Sequence, residues 1–330
     1  LSDQVFTALL ENDYGQYDYL ISSTSDALGD EGLEYLKQSF ISLSNEPTPK
    51  LKAEDREVIG FGSAGPMFAD DYSERRTERV IKLALQEIAD AQGDVDAFIA
   101  QKSDTASTVP TVATEVARRL LAAGRVEEAW AAIDAIDEDR RGWIPFEFEM
   151  MKVDILVALG REDEAKKFQW LCFERSLHPD HLRSYIKQLP DFEDMDVEKQ
   201  AMDYALKFAN IHQSLQFLVM WPSLENAAEL VLSRADELDG YHYELLTPAA
   251  DMFDAKYPLV STLLRRALIN FALDKARSKR YRYAAGHLHE CETLAMSIND
   301  FGSFETHETY KLRLKKEHGR KSGFWGLVKL

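Results

Sequence analysis

One phrase occurs twice in this chain, as Leu120-Leu-Ala-Ala-Gly-Arg-Val-Glu-Glu-Ala-Trp130 and as Leu156-Val-Ala-Leu-Gly-Arg-Glu-Asp-Glu-Ala-Lys166. In each copy an apolar run ends at a glycine, Gly124 or Gly160, and the sequence Arg-x-x-Glu-Ala follows. Glycine commonly ends a helix because its backbone adopts the left-handed conformation without steric cost. Each copy therefore predicts two helices that are joined by a tight turn at the glycine.

The spacing of these glycines indicates a helical-repeat fold. A weaker third copy surrounds Gly93, so the glycines are separated by 31 and then 36 residues. Hairpins that recur at such an interval bury their apolar faces only against neighbouring hairpins. We expect the small Ala129 and Ala165 to lie where the second helix crowds its partner. The prediction is an all-α fold, an irregular helical-repeat solenoid of about fifteen helices with no convincing strand.

The composition is that of a folded and helical protein. Of 330 residues, 45% are hydrophobic and 29% are charged, and only 16 Gly and 10 Pro are available for the many turns of an all-β fold. Cys172 and Cys291 are too few for a disulfide framework, which favours the reducing cytoplasm. No run approaches the 18 apolar residues of a membrane span, so we predict no transmembrane segment.

The sequence pattern divides the chain into three parts. Residues 1–45 are predicted to form N-terminal helices, residues 46–71 an irregular linker or packed loop, and residues 72–330 the solenoid. The middle part loses the helical pattern because it is rich in glycine and proline, at Pro47, Pro49, Gly60, Gly62, Gly65 and Pro66. The chain begins with Leu1 and not Met, and we expect an N-terminal portion to precede it.

The last segment, Gly319 to Leu330, is rich in large apolar residues. The terminal hairpin of a solenoid has no neighbour, so its apolar face needs a cap. We predict that Phe324 and Trp325 fold back as this cap and leave Arg320 and Lys321 in water. An interfacial membrane anchor is the competing interpretation.

Charge is distributed unevenly along the chain. Residues 261–330 contain 14 Lys and Arg against seven Asp and Glu, a net charge of +7. Since the whole chain carries −18, the remaining residues carry −25. Most of the surface therefore repels a polyanion, and only the C-terminal quarter can attract one.

The candidate binding residues lie in this basic quarter. Basic side chains alternate with aromatic ones at Lys275, Arg277, Lys279, Arg280, Tyr281 and Arg282, with Arg266 and Tyr283 close by. A second basic cluster comprises Lys315, Lys316, Arg320 and Lys321. Cations beside aromatic faces suit phosphates or an acidic peptide. They equally suit ion pairing with the acidic remainder of the chain, and the sequence leaves both interpretations open.

The glycines at positions 60 to 65 are spaced as in a nucleotide-binding motif. Gly60-Phe-Gly62-Ser-Ala-Gly65 has the G-x-G-x-x-G spacing of a dinucleotide site. Such a site needs a strand before the motif and a helix immediately after it. Here Pro66, Met67 and Phe68 follow instead. We predict a glycine-rich connection and no cofactor.

Two clusters of metal-capable side chains are also present. His287 and Cys291 share a helical face while His289 points elsewhere, and two ligands do not complete a zinc site. The acidic stretch 191–198 lacks the glycine and distal glutamate of a calcium loop, and acidic residues suit the start of a helix. We predict no metal.

One pair of residues suggests catalysis. Arg282 and His287 have the R-x4-H spacing of helical HEPN-type ribonucleases, in which such a pair could activate a ribose hydroxyl and stabilise a cleaved phosphate. Tyr283 replaces the polar residue usually found after that arginine. The alternative is an exposed arginine and a partly buried histidine.

Five stretches resemble an uncharacterised bacterial family of helical domains. They are Cys172-Phe-Glu-Arg-Ser-Leu, His181-Leu-Arg-Ser-Tyr-Ile-Lys-Gln-Leu-Pro-Asp-Phe, Tyr243-Glu-Leu-Leu-Thr-Pro-Ala-Ala, Lys279-Arg-Tyr-Arg-Tyr-Ala-Ala and Gly319-Arg-Lys-Ser-Gly-Phe-Trp. This resemblance implies an all-helical domain of unknown function. The Gly-Arg phrases are more loosely similar to tetratricopeptide repeats and to the helical tails of SWIM zinc-finger proteins. The chain lacks the paired Cys and His ligands of a SWIM finger, so no zinc role transfers.

The predicted function is a non-enzymatic interaction scaffold. Rigid helices would hold a groove against an unidentified peptide or protein partner in the cytoplasm. The alternative is a nucleic-acid-associated protein, such as a HEPN-like ribonuclease, that works through the basic segment 275–291.

Overall fold

The chain folds as an all-α protein, as predicted. The computed structural model describes residues 1–12, 14–46, 56–62, 65–102, 109–137, 144–190 and 193–328. These residues form seventeen α-helices and a single two-stranded sheet. They divide into two compact units, Leu1–Ala165 and Lys166–Leu330. The division lies inside the predicted solenoid region 72–330.

The element bounds follow the sequence pattern closely. The elements are α1 Ser2–Leu10, α2 Leu20–Ser44, β1 Val58–Gly62, β2 Gly65–Phe68, α3 Ala69–Ala91, α4 Val95–Ala100, α5 Pro110–Ala122, α6 Val126–Asp134, α7 Phe146–Ala158, α8 Glu162–Ser176, α9 Pro179–Ile186, α10 Asp194–Lys207, α11 Ile211–Met220, α12 Leu224–Ser233, α13 Tyr243–Phe253, α14 Pro258–Asp274, α15 Tyr281–Ala295, α16 His307–His318 and α17 Ser322–Val328.

The glycines of the repeated phrase cap helices in the way the sequence predicts. Gly93, Gly124 and Gly160 have φ angles of +66°, +73° and +72°. The residue after each glycine donates its N–H to a carbonyl five positions back, as Arg125 does to Leu120 at 2.8 Å. This is the Schellman arrangement, in which the left-handed residue lets the chain close over the last helical turn.

The rest of the phrase also has a structural explanation. Arg125 and Glu128 form a two-point ion pair at 2.6 and 2.8 Å, and Arg161 and Glu164 repeat it at 2.6 and 2.9 Å. The alanine that follows each glutamate is fully buried. The phrase Gly-Arg-x-x-Glu-Ala therefore combines a helix end, an ion pair across the next turn and a site of close helix packing.

The segment 46–71 differs from its prediction as an irregular loop. β1 and β2 pair antiparallel, and Val58, Ile59 and Phe61 are exposed. Gly60, Gly62 and Gly65 of the motif thus lie on two paired strands rather than at the strand-to-helix turn of a dinucleotide site. Glycine and proline indicate that a helix ends, but they do not distinguish a loop from short strands, so the extended backbone between them is not predicted. Residues 47–55 and Ser63 lie outside the described residues.

The C-terminal unit is built around α14. This helix is buried on almost every side, because Leu263, Leu264 and Leu268 belong to one apolar cluster and Ile269 and Leu273 to another. The first cluster holds α8 to α13 together, and the second joins α14 to α15, α16 and α17.

The chain end completes the second cluster. Phe324 on α17 is fully buried and meets the ring of Tyr281 edge-on, with 6.0 Å between the ring centroids. The indole Nε1 of Trp325 donates to the carbonyl of His318 at 2.9 Å. Near the start of this segment Arg320 is exposed, as predicted, whereas Lys321 is half-buried.

The end of α14 provides a test of the capping rule. Ala276 occupies the position that glycine takes in the repeats, with φ +49°, and Arg277 N–H donates to the Ala272 carbonyl at 2.9 Å. A left-handed conformation costs a residue with a Cβ about 1 kcal/mol relative to glycine. We expect Ala276→Gly to stabilise the protein by about that amount and Gly160→Ala to destabilise it similarly. Chemical denaturation measures both, and shifts of the same sign would contradict the capping account.

Candidate functional site

A short loop between α12 and α13 presents aromatic side chains at the surface. The backbone N–H of Asp239 donates to Nε2 of His212 at 2.9 Å, and Tyr241 N–H donates to the Asp239 carboxylate at 2.8 Å. The first bond anchors the loop to α11, and the second holds the turn within the loop. Tyr241 is left 62% exposed and Tyr243 44% exposed.

Gly240 sets how closely this loop approaches α14. A Cβ at Gly240 would lie 2.4 Å from the carbonyl oxygen of Ala267 and 2.7 Å from Cβ of Phe271. Neither atom belongs to a flexible side-chain end, so only glycine fits. The close approach brings Tyr241 against Phe271, with 6.0 Å between the ring centroids.

Arg280 lies beside this loop at the end of a short 3-10 turn, Ser278–Arg280. Its guanidinium carbon is 4.0 Å from the ring centroid of Tyr243 and 5.5 Å from that of Phe271. A guanidinium over an aromatic face is held by the ring quadrupole and keeps its N–H groups available at the edges.

Two basins meet at this stack, and we call them together the Arg280 groove. The first has a volume of about 900 Å³ and lies among the starts of α9, α11 and α13. The second has a volume of about 620 Å³ and lies among α13, α14 and α15. Both are lined by Tyr243, Glu244 and Arg280.

The two basins have different linings. The first contains polar groups, including Gln213, Gln216 and the imidazoles of His178 and His212. The second is mainly apolar and is bordered by cations; its lining includes Pro248, Leu268, Ala272, Lys279, Tyr283 and Ala284. Tyr283 is 70% exposed, so its ring is a further open aromatic face.

Two histidines of the first basin stack on each other. The rings of His212 and His242 are 4.1 Å apart. Burial lowers the pKa of His212, and the neighbouring His242 lowers it further. His212 is therefore neutral at neutral pH, and because Nε2 accepts from Asp239 its proton resides on Nδ1. The polar basin thus gains no fixed charge from His212.

A buried arginine holds the helices that carry the groove. The Arg265 side chain on α14 is only 2% exposed, and it contacts Asp251 Oδ1 at 2.7 Å and Glu290 Oε2 at 2.7 Å. It also pairs with Asp254 at 3.0 Å. These carboxylates belong to the C-terminal part of α13 and to α15. Burial raises the pKa of Glu290, but hydrogen bonds from Arg265 and His287 outweigh it and leave that pKa below its usual value.

The structure separates the predicted binding residues into three groups. Lys279 and Arg280 border the groove, and Arg277 lines an adjoining pocket with Tyr241. Lys275 and Arg282 are exposed but do not line it. Tyr281 is buried against Phe324, so its ring supports α15 rather than a ligand, and Tyr283 supplies the exposed ring.

The cations of the basic cluster are not paired with carboxylates in the part of the chain that the structure describes. Within the described residues, no carboxylate pairs with any of the five cations Lys275, Arg277, Lys279, Arg280 and Arg282. Among the described Lys and Arg residues of this quarter, those that do pair with carboxylates are Arg265, Lys311 and Arg313. Internal pairing with the acidic remainder therefore does not account for the cations at the groove.

The proposed catalytic pair is not assembled at one point. His287 lines the apolar basin and its Nδ1 lies 2.9 Å from Glu290 Oε2, whereas Arg282 lies outside that basin. Residues five apart on a helix point about 140° away from each other. The R-x4-H spacing on α15 thus directs the two side chains apart.

The side chains of the two metal-capable clusters identified in the sequence have other contacts or positions in the structure. The Cys291 thiol is buried and directed to the Thr262 carbonyl at 3.8 Å, and burial raises its pKa to about 12. His289 faces Glu292 at 3.8 Å. In the acidic stretch, Asp194 and Asp196 occupy the first turn of α10, where the helix dipole favours them. Asp191 lies outside the described residues.

The described residues thus form an all-α fold whose C-terminal unit carries a basic and aromatic groove. The chain belongs to the family of unknown function DUF6880, whose model matches residues 1–327. No curated protein and no solved structure matches the chain. Among the described residues, none of the helices combines the length and apolar character needed to cross a membrane.

Substitution of Gly240 tests whether the loop depends on its close approach to α14. Gly240→Ala forces a methyl group against backbone atoms, and we expect a loss of about 1–3 kcal/mol in unfolding free energy. Gly286→Ala is the matched control, because Gly286 lies within α15 and a Cβ there meets nothing within 4 Å. The control should gain about 0.5–1 kcal/mol from helix propensity. Equal shifts in the melting temperature of the two variants would contradict the proposed steric role of Gly240.

Proposed function

We propose that this chain is a non-enzymatic interaction protein whose C-terminal unit binds an acidic segment of a partner protein along the Arg280 groove. The observation that carries the proposal is the set of unpaired cations, Arg277, Lys279 and Arg280, beside the exposed rings of Tyr241 and Tyr283. Exposed cations at aromatic faces are common features of binding surfaces, where Arg and Tyr supply much of the energy.

The lining of the groove favours a peptide as the occupant. Gln216 is exposed in the polar basin and, within the described residues, has no hydrogen-bond partner, so its amide can both donate to and accept from a peptide backbone. The apolar basin, bordered by Lys279 and Arg280, can hold an apolar side chain beside an acidic one.

Charge weighs against a long nucleic acid in the same groove. Glu244 lines both basins, and its negative charge would repel the regularly spaced phosphates of a strand, whereas a peptide can place an apolar residue beside it. The chain outside residues 261–330 carries −25, which adds a longer-range repulsion. A short acidic segment meets the local cations without extending over the rest of the surface.

The cytoplasm is the proposed location. No disulfide links Cys172 and Cys291, and both are buried. A repeat solenoid remains the proposed arrangement of the helices, since the glycine-capped hairpins supply its repeating unit.

A peptide-display selection tests this function and does not require the partner to be identified. A random library of peptides of about 12 residues, a length typical of groove ligands, is selected on the full chain. We expect the recovered peptides to be enriched in Asp and Glu with an apolar anchor. Affinities of the best peptide are then measured by fluorescence anisotropy for Arg277→Glu/Lys279→Glu and for Lys315→Glu/Lys316→Glu.

The two double variants change the net charge equally, so they separate groove contacts from general attraction. The groove variant should weaken binding by at least about tenfold, as expected when contacts to charged groups are lost, and the second variant by far less. Equal effects, or peptides without acidic enrichment, would overturn the proposal. Tighter binding of single-stranded oligouridine, abolished by Arg280→Ala, would instead support the nucleic-acid alternative.

A further inference from the structure

A second buried arginine follows Arg265 on α14 but has a different environment. Arg266 is 5% exposed, and its guanidinium carbon lies 4.4 Å from the ring centroid of Tyr310. Its Nη1 donates to the backbone carbonyl of Glu305 at 2.8 Å. Within the described residues, Nε and Nη2 have no hydrogen-bond partner and no carboxylate forms an ion pair with this side chain.

The acidic groups around Arg266 do not neutralise it. The Glu305 carboxylate is held by Arg313 through contacts of 3.0 and 3.1 Å. Burial raises the pKa of Tyr310 well above its usual value, and its hydroxyl donates to Asn270 at 2.9 Å. Burial also raises the pKa of the Cys291 thiol to about 12. Both groups are therefore neutral at physiological pH.

Arg266 itself keeps its charge. Burial lowers its pKa, but a guanidinium starts so far above neutrality that it stays protonated in proteins. A buried cation without a counter-ion is strongly unfavourable. We therefore expect the folded unit to bind an anion from solution beside Arg266.

Two other buried side chains of this unit also have polar atoms without a partner among the described residues. Thr262 lies one turn before Arg266 on α14, and its hydroxyl has no partner among the described residues. His307 at the start of α16 is 3% exposed, and in the same part of the chain neither of its ring nitrogens has a partner. Burial lowers the pKa of His307, and the nearby charge of Arg266 adds to that shift. A neutral imidazole and a hydroxyl can each offer a donor to a ligand of Arg266.

We propose that Arg266 binds a small monovalent anion in the interior of the C-terminal unit. The unpaired atoms Nε and Nη2 form one edge of the guanidinium, where two parallel N–H groups match a carboxylate-type anion or chelate a halide. Water could satisfy single donors but would leave the charge unneutralised. The bound anion lies between α14 and the start of α16 and stabilises the packing of these helices.

Crystals of the full chain grown in sodium bromide test the site directly. We expect an anomalous difference peak within about 3.5 Å of both Nε and Nη2 of Arg266, the distance range of hydrogen bonds to large acceptors. A peak at that edge supports the proposal. Ordered water at that edge, or no density there, overturns it.

Thermal unfolding in sodium formate, with sodium gluconate keeping the ionic strength constant, provides a second measurement. Above the dissociation constant, the melting temperature should rise by about 3–5 °C for each tenfold increase in formate, because only the folded chain binds it. Arg282→Met, an equal change at an exposed residue outside the groove, should keep this dependence and Arg266→Met should lose it. Equal slopes in all three proteins contradict the proposal. If Arg266→Met does not fold, the bromide crystals alone decide.

Discussion

The C-terminal unit depends on the buried guanidinium of Arg265. This side chain reaches three carboxylates, Asp251, Asp254 and Glu290, from a position that is 2% exposed. Burial of a cation is costly unless partners surround it, and here the partners come from elements on both sides of α14. Ser261, one turn earlier on α14, adds a hydroxyl that contacts Arg265 and bonds to Asp254 at 2.6 Å. The planar fork of arginine is suited to several simultaneous contacts, which the single ammonium of lysine cannot reproduce.

The groove follows from this arrangement. Tyr243 begins α13, Phe271 lies on α14, and Tyr283 lies on α15, so the three aromatic faces come from the helices that Arg265 joins. Arg280 then stacks on Tyr243 and Phe271 together. A shift of any one of these helices would separate the stack. Arg266, the next residue on α14, packs instead against Tyr310 of α16 and donates to the Glu305 carbonyl. One stretch of α14 therefore carries both a fully paired arginine and one that has no carboxylate partner among the described residues.

Much of the fold can be predicted from the sequence, because the rules it follows are local. A left-handed glycine after an apolar run predicts a helix end, and Gly124 and Gly160 obey this rule within one residue of the expected positions. The hairpin of β1 and β2 cannot be predicted by such local rules, because it depends on hydrogen bonds between two separate strands. Local rules also do not predict which face of α15 is buried. The helix begins at Tyr281, whose ring is buried, and the ring of Tyr283 is exposed.

The groove is harder to predict, because its parts are distant in the chain. His212, Gly240 and Arg280 are separated by dozens of residues, and no local spacing relates them. The basic segment identified one side of the groove, at Lys279 and Arg280, and the adjoining Arg277. The aromatic loop on the other side has only one sequence signal, the glycine at position 240, and glycine in a loop does not reveal which atoms approach it.

Hydrogen exchange in wild type and Arg265→Lys, followed by mass spectrometry, tests the central role of Arg265 most directly. The lysine variant keeps the positive charge but loses the planar guanidinium that contacts three carboxylates at once. We predict that amides of α13 and α15 exchange at least about tenfold faster in the variant, because local opening of these helices costs less once the shared ion pairs are lost. Helices α1 to α3 of the N-terminal unit should exchange at unchanged rates. Unchanged protection of α13 and α15 would contradict the claim that Arg265 holds these helices together.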